Sequence, residues 1–345
     1  MANDHLALNS VTEDASTTRH SPSDKMIGVT RPGYHRRAMG QATPVFEERE
    51  EIDPEMCMRS FITGIAATLC ISAALAADIP TEISTDPAPD RQFPATSVVL
   101  HVPSHGVAMN GLAYLPAGAG PHPVFILLHG LPGNEKNLDL AQAVRRAGWI
   151  AVTFNYRGSW GSPGKFSFEG NLEDTEAVLA YLRDPKTATS LHLDPHRIVL
   201  AGHSMGGAIT AAVAARDHEL RGAVLISAWD VAKSAARPHE KLVAFMSDDM
   251  ESLAGVTAES MASDLQEHAG EFSFNALADG LIGTPLLVLT SDDNNVEGDD
   301  ALVSSIRSKG GHRVTETHVA TDHVWSDRRI ELAADVITWI KHTIP

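Results

Sequence analysis

With 345 residues, 43% of them hydrophobic, the chain is long enough for one large α/β domain plus extensions and can bury a sizeable core. Its formal charge of -17 would repel a phosphate backbone, and no Lys/Arg-rich run with interleaved aromatics occurs, so nucleic acid is excluded as an expected partner. The two cysteines, Cys57 and Cys70, precede the part of the chain with globular patterning, which argues against a disulfide framework or a cysteine-based metal site.

Residues 1–57 are polar, rich in charges and turn formers, and lack both helical and strand periodicity, so no structure is expected for them. They read as an unusually long leader or as residues upstream of a true start at Met56 or Met58. Residues 58–77 open on Met58-Arg59, continue as an uncharged apolar run from near Phe61, and end on the small residues Ala74-Leu75-Ala76-Ala77. That is the layout of a secretory signal peptide, which places the mature protein in the periplasm or outside the cell; an uncleaved run would instead anchor it to the membrane. After cleavage no stable membrane insertion is expected. The prolines and acidic residues of 78–94 suit a solvated linker into a domain spanning 95–345.

Within that domain, Ser97–Val102 and Gly111–Tyr114 read as short strands, an antiparallel start to a sheet. Apolar runs then alternate with amphipathic patterns: strands at Val124–Leu128, Ile150–Asn155, Arg197–Ala201, Ala223–Ile226, Pro285–Thr290 and Arg313–Val319, and helices at Leu138–Arg146, Leu172–Leu182, Met205–Ala215, Ala301–Lys309 and Asp327–His342. The alternation predicts an α/β fold, a mostly parallel central sheet with helices on both faces. Residues 228–283 break the rhythm with short helical patterns containing Met246, Met250 and Met261. They read as a small helical lid insertion that either lines an acyl pocket or simply packs with methionine as gap-filler.

The sharpest local signal is Gly202-His203-Ser204-Met205-Gly206-Gly207, set between a strand and a small-residue helix. This is the context of a nucleophile elbow, in which flanking glycines allow a tight turn that projects the Ser204 hydroxyl above the sheet. A serine hydroxyl needs a base, and His323, in the loop after the last strand, fits the chain order better than His312 or His318. The orienting acid should follow the preceding strand, where Asp292 and Asp293 are adjacent; Asp293 is preferred because Asp292 lies closer to the strand end and suits support of the turn. The turn His129-Gly130-Leu131-Pro132-Gly133 after the third strand can aim a backbone amide at a developing oxyanion, giving Leu131 and Met205 as the expected donors.

These motifs resemble the α/β-hydrolase superfamily, in particular the prolyl-oligopeptidase-like and dienelactone-hydrolase-like serine hydrolases and their bacterial esterase relatives. The likeness extends to Asn155-Tyr156-Arg157-Gly158-Ser159-Trp160-Gly161-Ser162-Pro163-Gly164, similar to the family's Y-R-G-x-G-x-S stretch. It implies that Arg157 is structural and that Tyr156 and Trp160, with Trp325 beside the base, form walls of a substrate pocket. It also implies a Ser204, Asp293, His323 triad. Dienelactone hydrolases use a cysteine where this chain has Ser204, which counts against their lactone chemistry.

The reaction expected is hydrolysis of a small-molecule carboxylic ester through an acyl-enzyme, with no metal or organic cofactor; His101 and His105 sit on a strand and loop, a poor frame for a metal. Two other readings stay open. One is a small serine peptidase or amidase, for which Asp248, Asp249 and Glu251 could hold a substrate amine. The other is a catalytically inactive binding protein on the same fold.

Overall fold

A computed structural model describes residues 79–344. The sequence-derived leader and signal segment lie outside these residues. Eight strands form one sheet: β1 (Thr96–Ser104), β2 (Val107–Leu115), β3 (His122–Leu128), β4 (Ile150–Phe154), β5 (Leu193–His203), β6 (Gly222–Ile226), β7 (Leu286–Ser291) and β8 (Val314–Val319), in the order β1-β2-β4-β3-β5-β6-β7-β8. β1 pairs antiparallel with β2, and β2 antiparallel with β4; every later pairing is parallel. The antiparallel start and parallel body match the expectation from the sequence.

The helices are α1 (Leu138–Arg146), α2 (Phe168–Arg183), α3 (Pro185–Leu191), α4 (Met205–Ala214), α5 (Val231–Ala235), α6 (His239–Ser247), α7 (Ala258–Glu267), α8 (Phe274–Leu281), α9 (Val296–Ser308) and α10 (Arg329–Thr343). Alternate side chains of each strand serve opposite faces. In β3, Val124, Ile126 and Leu128 join one core with residues of α2, α4 and the 228–283 helices, while Phe125 and Leu127 join a second with α1 and α10. This double coverage explains why the central strands read as continuous apolar runs. α4 is buried on every side, as its string of small residues requires.

Three differences from the sequence reading have local causes. α3 was not anticipated, although Asp184 caps it by accepting from the amides of Lys186 and Thr187, and Pro185 occupies its first turn, where a missing N–H costs nothing. α2 begins at Phe168, four positions earlier than its apolar pattern, because the Ser167 hydroxyl accepts from the Gly170 amide. The expected solvated linker is partly docked: Thr81–Ile83 form a 3-10 turn whose Glu82 and Ile83 carbonyls accept from Arg146 of α1, and whose Glu82 side chain pairs with Lys341 of α10.

The anticipated insertion is helical, comprising α5 to α8 and a 3-10 turn at Ala269–Phe272. Its Met246 and Met261 are buried among core residues, so these two methionines serve packing. Among the described residues no helix is long and apolar enough to cross a membrane.

Candidate active site

β5 ends at His203, and Ser204 stands between it and α4 with φ 56° and ψ -119°, a backbone conformation that L-residues avoid. Holding it costs about 1–3 kcal/mol, and surrounding contacts must supply the constraint. Here the Ser204 amide donates to the Ile226 carbonyl (3.0 Å), while its own carbonyl accepts from the amides of Trp229 (3.0 Å) and Gly207 (2.9 Å). Glycine is required beside it for space: a Cβ on Gly202 would lie 2.0 Å from the Gly206 carbonyl oxygen.

The register Leu128↔Gly202 sets the end of β3 beside the elbow. A Cβ on Gly130 would stand 3.0 Å from the Ser204 Cβ, so the turn after β3 packs directly on the serine. Leu131, the residue after Gly130, lines the cavity above Ser204. Met205 opens α4, where first-turn amides have no acceptor within the helix and the positive end of the helix dipole adds to them. Both expected oxyanion donors therefore sit on the elements that flank the serine.

His323 lies in the loop between β8 and α10, and its Nδ1 donates to Asp293 Oδ2 at 2.6 Å. Asp293 follows β7, and its other oxygen accepts from the Asn295 amide (2.7 Å). Burial raises the Asp293 carboxyl, but the hydrogen bond and charge of His323, the Asn295 amide and the Ser291 hydroxyl outweigh it, leaving the group below the ordinary range and ionised. The neighbouring Asp292 instead faces His318, Oδ1 to Nε2 3.1 Å.

Ser204, Asp293 and His323 line one cavity of about 470 Å³, together with Leu131, Trp229, Phe245, Lys233, Arg237 and Asp249. Its aromatic wall is Trp229, edge-on to Phe245 with centroids 5.9 Å apart, and the Arg237 guanidinium lies 5.0 Å over the Phe245 ring. Phe245, Arg237 and Asp249 come from the helical insertion, so that segment does line the site.

None of the three pocket walls expected from the sequence occupies that place. Tyr156 is fully buried below it, edge-on to His129 at 4.7 Å and to Phe154 at 5.2 Å. Trp160 turns its indole Nε1–H to the Pro132 carbonyl (2.6 Å) and so braces the turn after β3 from outside. Trp325 is fully buried, its Nε1–H donating to Ser227 Oγ (3.1 Å). Tyr156 and Trp325 are supports whose polar atoms are engaged at depth, while Trp160 is a surface brace outside the cavity. Arg157 is structural, as anticipated, forked onto Asp174 and Glu173 of α2.

Two histidines escaped the sequence reading. His203, which precedes the serine in the elbow, is buried against the His323 ring, centroids 4.7 Å apart, and its Nε2–H donates to the His323 carbonyl (2.8 Å). Burial, with the positive field of His323, pushes its pKa down to about 4. His129 is likewise lowered to about 4 by burial, and its Nδ1–H donates to the Gly130 carbonyl (2.8 Å). Neutral at physiological pH, both act as fixed donors that shape loops.

The chain matches the family model described as the alpha/beta hydrolase fold over residues 123–280, a span that includes the elbow and most of the helical cover. Over that span the chain has the α/β-hydrolase fold. Among curated relatives it is 30% identical over 127 residues to the quorum-quenching protein AidA of Acinetobacter baumannii, an alignment covering 35% of this chain and 40% of that protein. It is 23% identical over 220 residues to a cutinase of Thermobifida fusca, covering 60% of this chain and 67% of the cutinase. The chain thus spans well under two thirds of the first of these relatives. A thermophilic carboxylesterase cloned from a metagenomic library superposes with a TM-score of 0.54 at 18% identity, covering 77% of this chain and 93% of the esterase.

Proposed function

We propose that this α/β hydrolase cleaves small-molecule carboxylic esters, with Ser204 as nucleophile, His323 as base and Asp293 as orienting acid. The observation that carries the reading is that a serine held at positive φ and a histidine paired with an ionised carboxylate face one 470 Å³ cavity. Esterases and a cutinase among the similar proteins support the same chemistry.

In this mechanism Ser204 Oγ attacks the ester carbonyl carbon while its proton passes to His323 Nε2. The carbonyl oxygen takes the negative charge and is met by the amides of Leu131 and Met205, each such donor contributing roughly 10²–10³ in rate. Collapse breaks the bond to the alkoxy oxygen, which leaves with the proton from Nε2. Water then attacks the acyl-enzyme, giving a proton to His323, and collapse returns that proton to Ser204 Oγ and frees the acid. Asp293 keeps Nδ1 protonated, so that Nε2 presents its lone pair to the serine, and it offsets the charge of the imidazolium.

A second reading, a small aminopeptidase or amidase, is favoured by Asp249. It lines the same cavity, and burial with the charges of Glu251 and Asp248 raises it to about 6, so that above this pH it would attract a substrate ammonium. One experiment separates the readings: a chain-length series of p-nitrophenyl esters beside aminoacyl-p-nitroanilides, with fluorophosphonate labelling of wild type and Ser204→Ala. Ester turnover and labelling lost in Ser204→Ala are expected. Anilide turnover that falls below pH 6 would support the second reading, and an unlabelled, inert wild type would leave only a binding protein.

A further inference from the structure

Behind the Asp293 carboxylate lies a row of buried polar atoms that the ester mechanism does not use. The Trp325 indole Nε1–H donates to Ser227 Oγ at 3.1 Å. Ser227 Oγ and Ser291 Oγ are 2.8 Å apart, and Ser291 Oγ donates to Asp293 Oδ2 at 3.1 Å. Ser227, Ser291 and Trp325 are all 0% exposed. An indole nitrogen only donates and an ionised carboxylate only accepts, so the two ends fix the sense of the bond between the serines: Ser227 gives its proton to Ser291. The row then runs one way, from indole to hydroxyl to hydroxyl to carboxylate.

Its members are pinned. Ser227 has φ 45°, with its amide on the Leu289 carbonyl (2.8 Å) and its carbonyl accepting from Asn295 Nδ2 (3.2 Å). Trp325 has φ 61° and stands two residues after His323 in the same loop. The loop bearing the base is thus tied, through three side chains, to the oxygen that the base itself engages. Oδ2 of Asp293 accepts from both His323 Nδ1 and Ser291 Oγ.

We propose that Trp325, Ser227 and Ser291 are positioning residues, a one-way hydrogen-bond chain that orients the Asp293 carboxylate and moderates its pull on the His323 proton. The proposal rests on the triad reading above. A donor on Oδ2 draws off part of the carboxylate charge; without it the whole charge acts on the Nδ1–H, and the imidazolium form is held more strongly. Other groups facing the pair are left unchanged by this test: His203 from β5, Arg329 from α10, the buried Asp299 from α9, and Asp230, Lys233, Arg237 and Asp249 around the cavity.

The test is the pH dependence of kcat/KM for p-nitrophenyl butyrate in wild type, Ser291→Ala, Ser291→Thr, Ser227→Ala and Trp325→Phe, with thermal melts and the downfield Nδ1–H resonance of His323 in each. Loss of a hydrogen bond of ordinary net strength should move the acid limb of Ser291→Ala upward by about half to one pH unit. Ser227→Ala should move it less and Trp325→Phe least, while Ser291→Thr, which keeps a hydroxyl, returns it to the wild-type position. The resonance should shift in the same order. If Ser291→Ala does not fold, the other two variants carry the comparison. Limbs and resonances that stay at the wild-type position in folded variants, even with lowered kcat, would reduce these residues to packing and overturn the proposal. Failure of the triad reading has a different signature, a wild type that fluorophosphonate does not label, and the resonance series judges the chain in that case too.

Discussion

Floor and cover of the cavity differ in what fixes each side chain. On the floor, Ser204, Asp293 and Leu131 stand one to three residues beyond the ends of β5, β7 and β3, backbone hydrogen bonds hold Ser204 and Asp293, and Gly130 before Leu131 packs on the serine. In the cover, Phe245, Arg237 and Asp249 stand on or beside short helices, and Phe245 and Arg237 touch the site through an edge-on aromatic pair and a stacked guanidinium. The strands thus position Ser204 and Asp293, while the helices set the shape of the cavity above them, which under the proposed ester chemistry selects the acyl or alcohol group. A rigid floor with a separately built cover lets one fold keep its chemistry as its substrate changes.

The contrast can be broken most sharply at the adjacent acids. Asp293→Asn should lower kcat by roughly 10⁴, because an amide can hold His323 in the wrong tautomer, whereas Asp292→Asn, paired with surface His318, should stay within about twofold. Steady-state ester kinetics on the two variants decide it, and equal losses would mean that the floor is less exact than its hydrogen bonds imply. On the cover, Phe245→Ala should change the ratio of kcat/KM between acetyl and hexanoyl esters by about tenfold while fluorophosphonate labelling of Ser204 continues.

The smallest effect concerns a buried acid under the floor. Asp299 is 0% exposed, and burial raises its carboxyl well above the ordinary range although the Ala228 amide donates to it. A carboxyl raised on folding gives its full stability below the unfolded value, 3.8, and loses it as pH climbs from there towards the folded value. Asp299→Asn should therefore melt about 2–4 °C higher at pH 8 and show no gain near pH 3. Melting curves at the two pH values check it, and a uniform loss would show that the proton on Asp299 is structurally needed.

What the sequence made legible follows the same division. The places of Ser204, His323 and Asp293 in the fold were readable because each is marked by local chain chemistry: glycine at Gly202 where a carbonyl crowds in, a histidine after the last strand, paired aspartates after β7. The aromatic wall was not, since the placement of Trp229 and Phe245 depends on how residues 228–283 dock, and short helices without a motif carry no register. Tyr156, Trp160 and Trp325 misled for a related reason. Large aromatics near a site suit a pocket and a brace equally well, and only the tertiary partner of each indole or phenol distinguishes them. His203 gave no signal at all, because the position it fills is one of the two that the elbow pattern leaves free.

The clasp at residues 81–83 bears on where this domain starts. Arg146 and Lys341 are spoken for by atoms of Glu82 and Ile83, so the folding unit reaches back past its first strand and joins its outer helices, α1 through two backbone carbonyls and α10 through the Glu82 carboxylate. Trimming the protein at Thr96 would strip acceptors from two cations on the face opposite the helical cover. A shortened version intended for crystals or engineering is best begun ahead of Ile79.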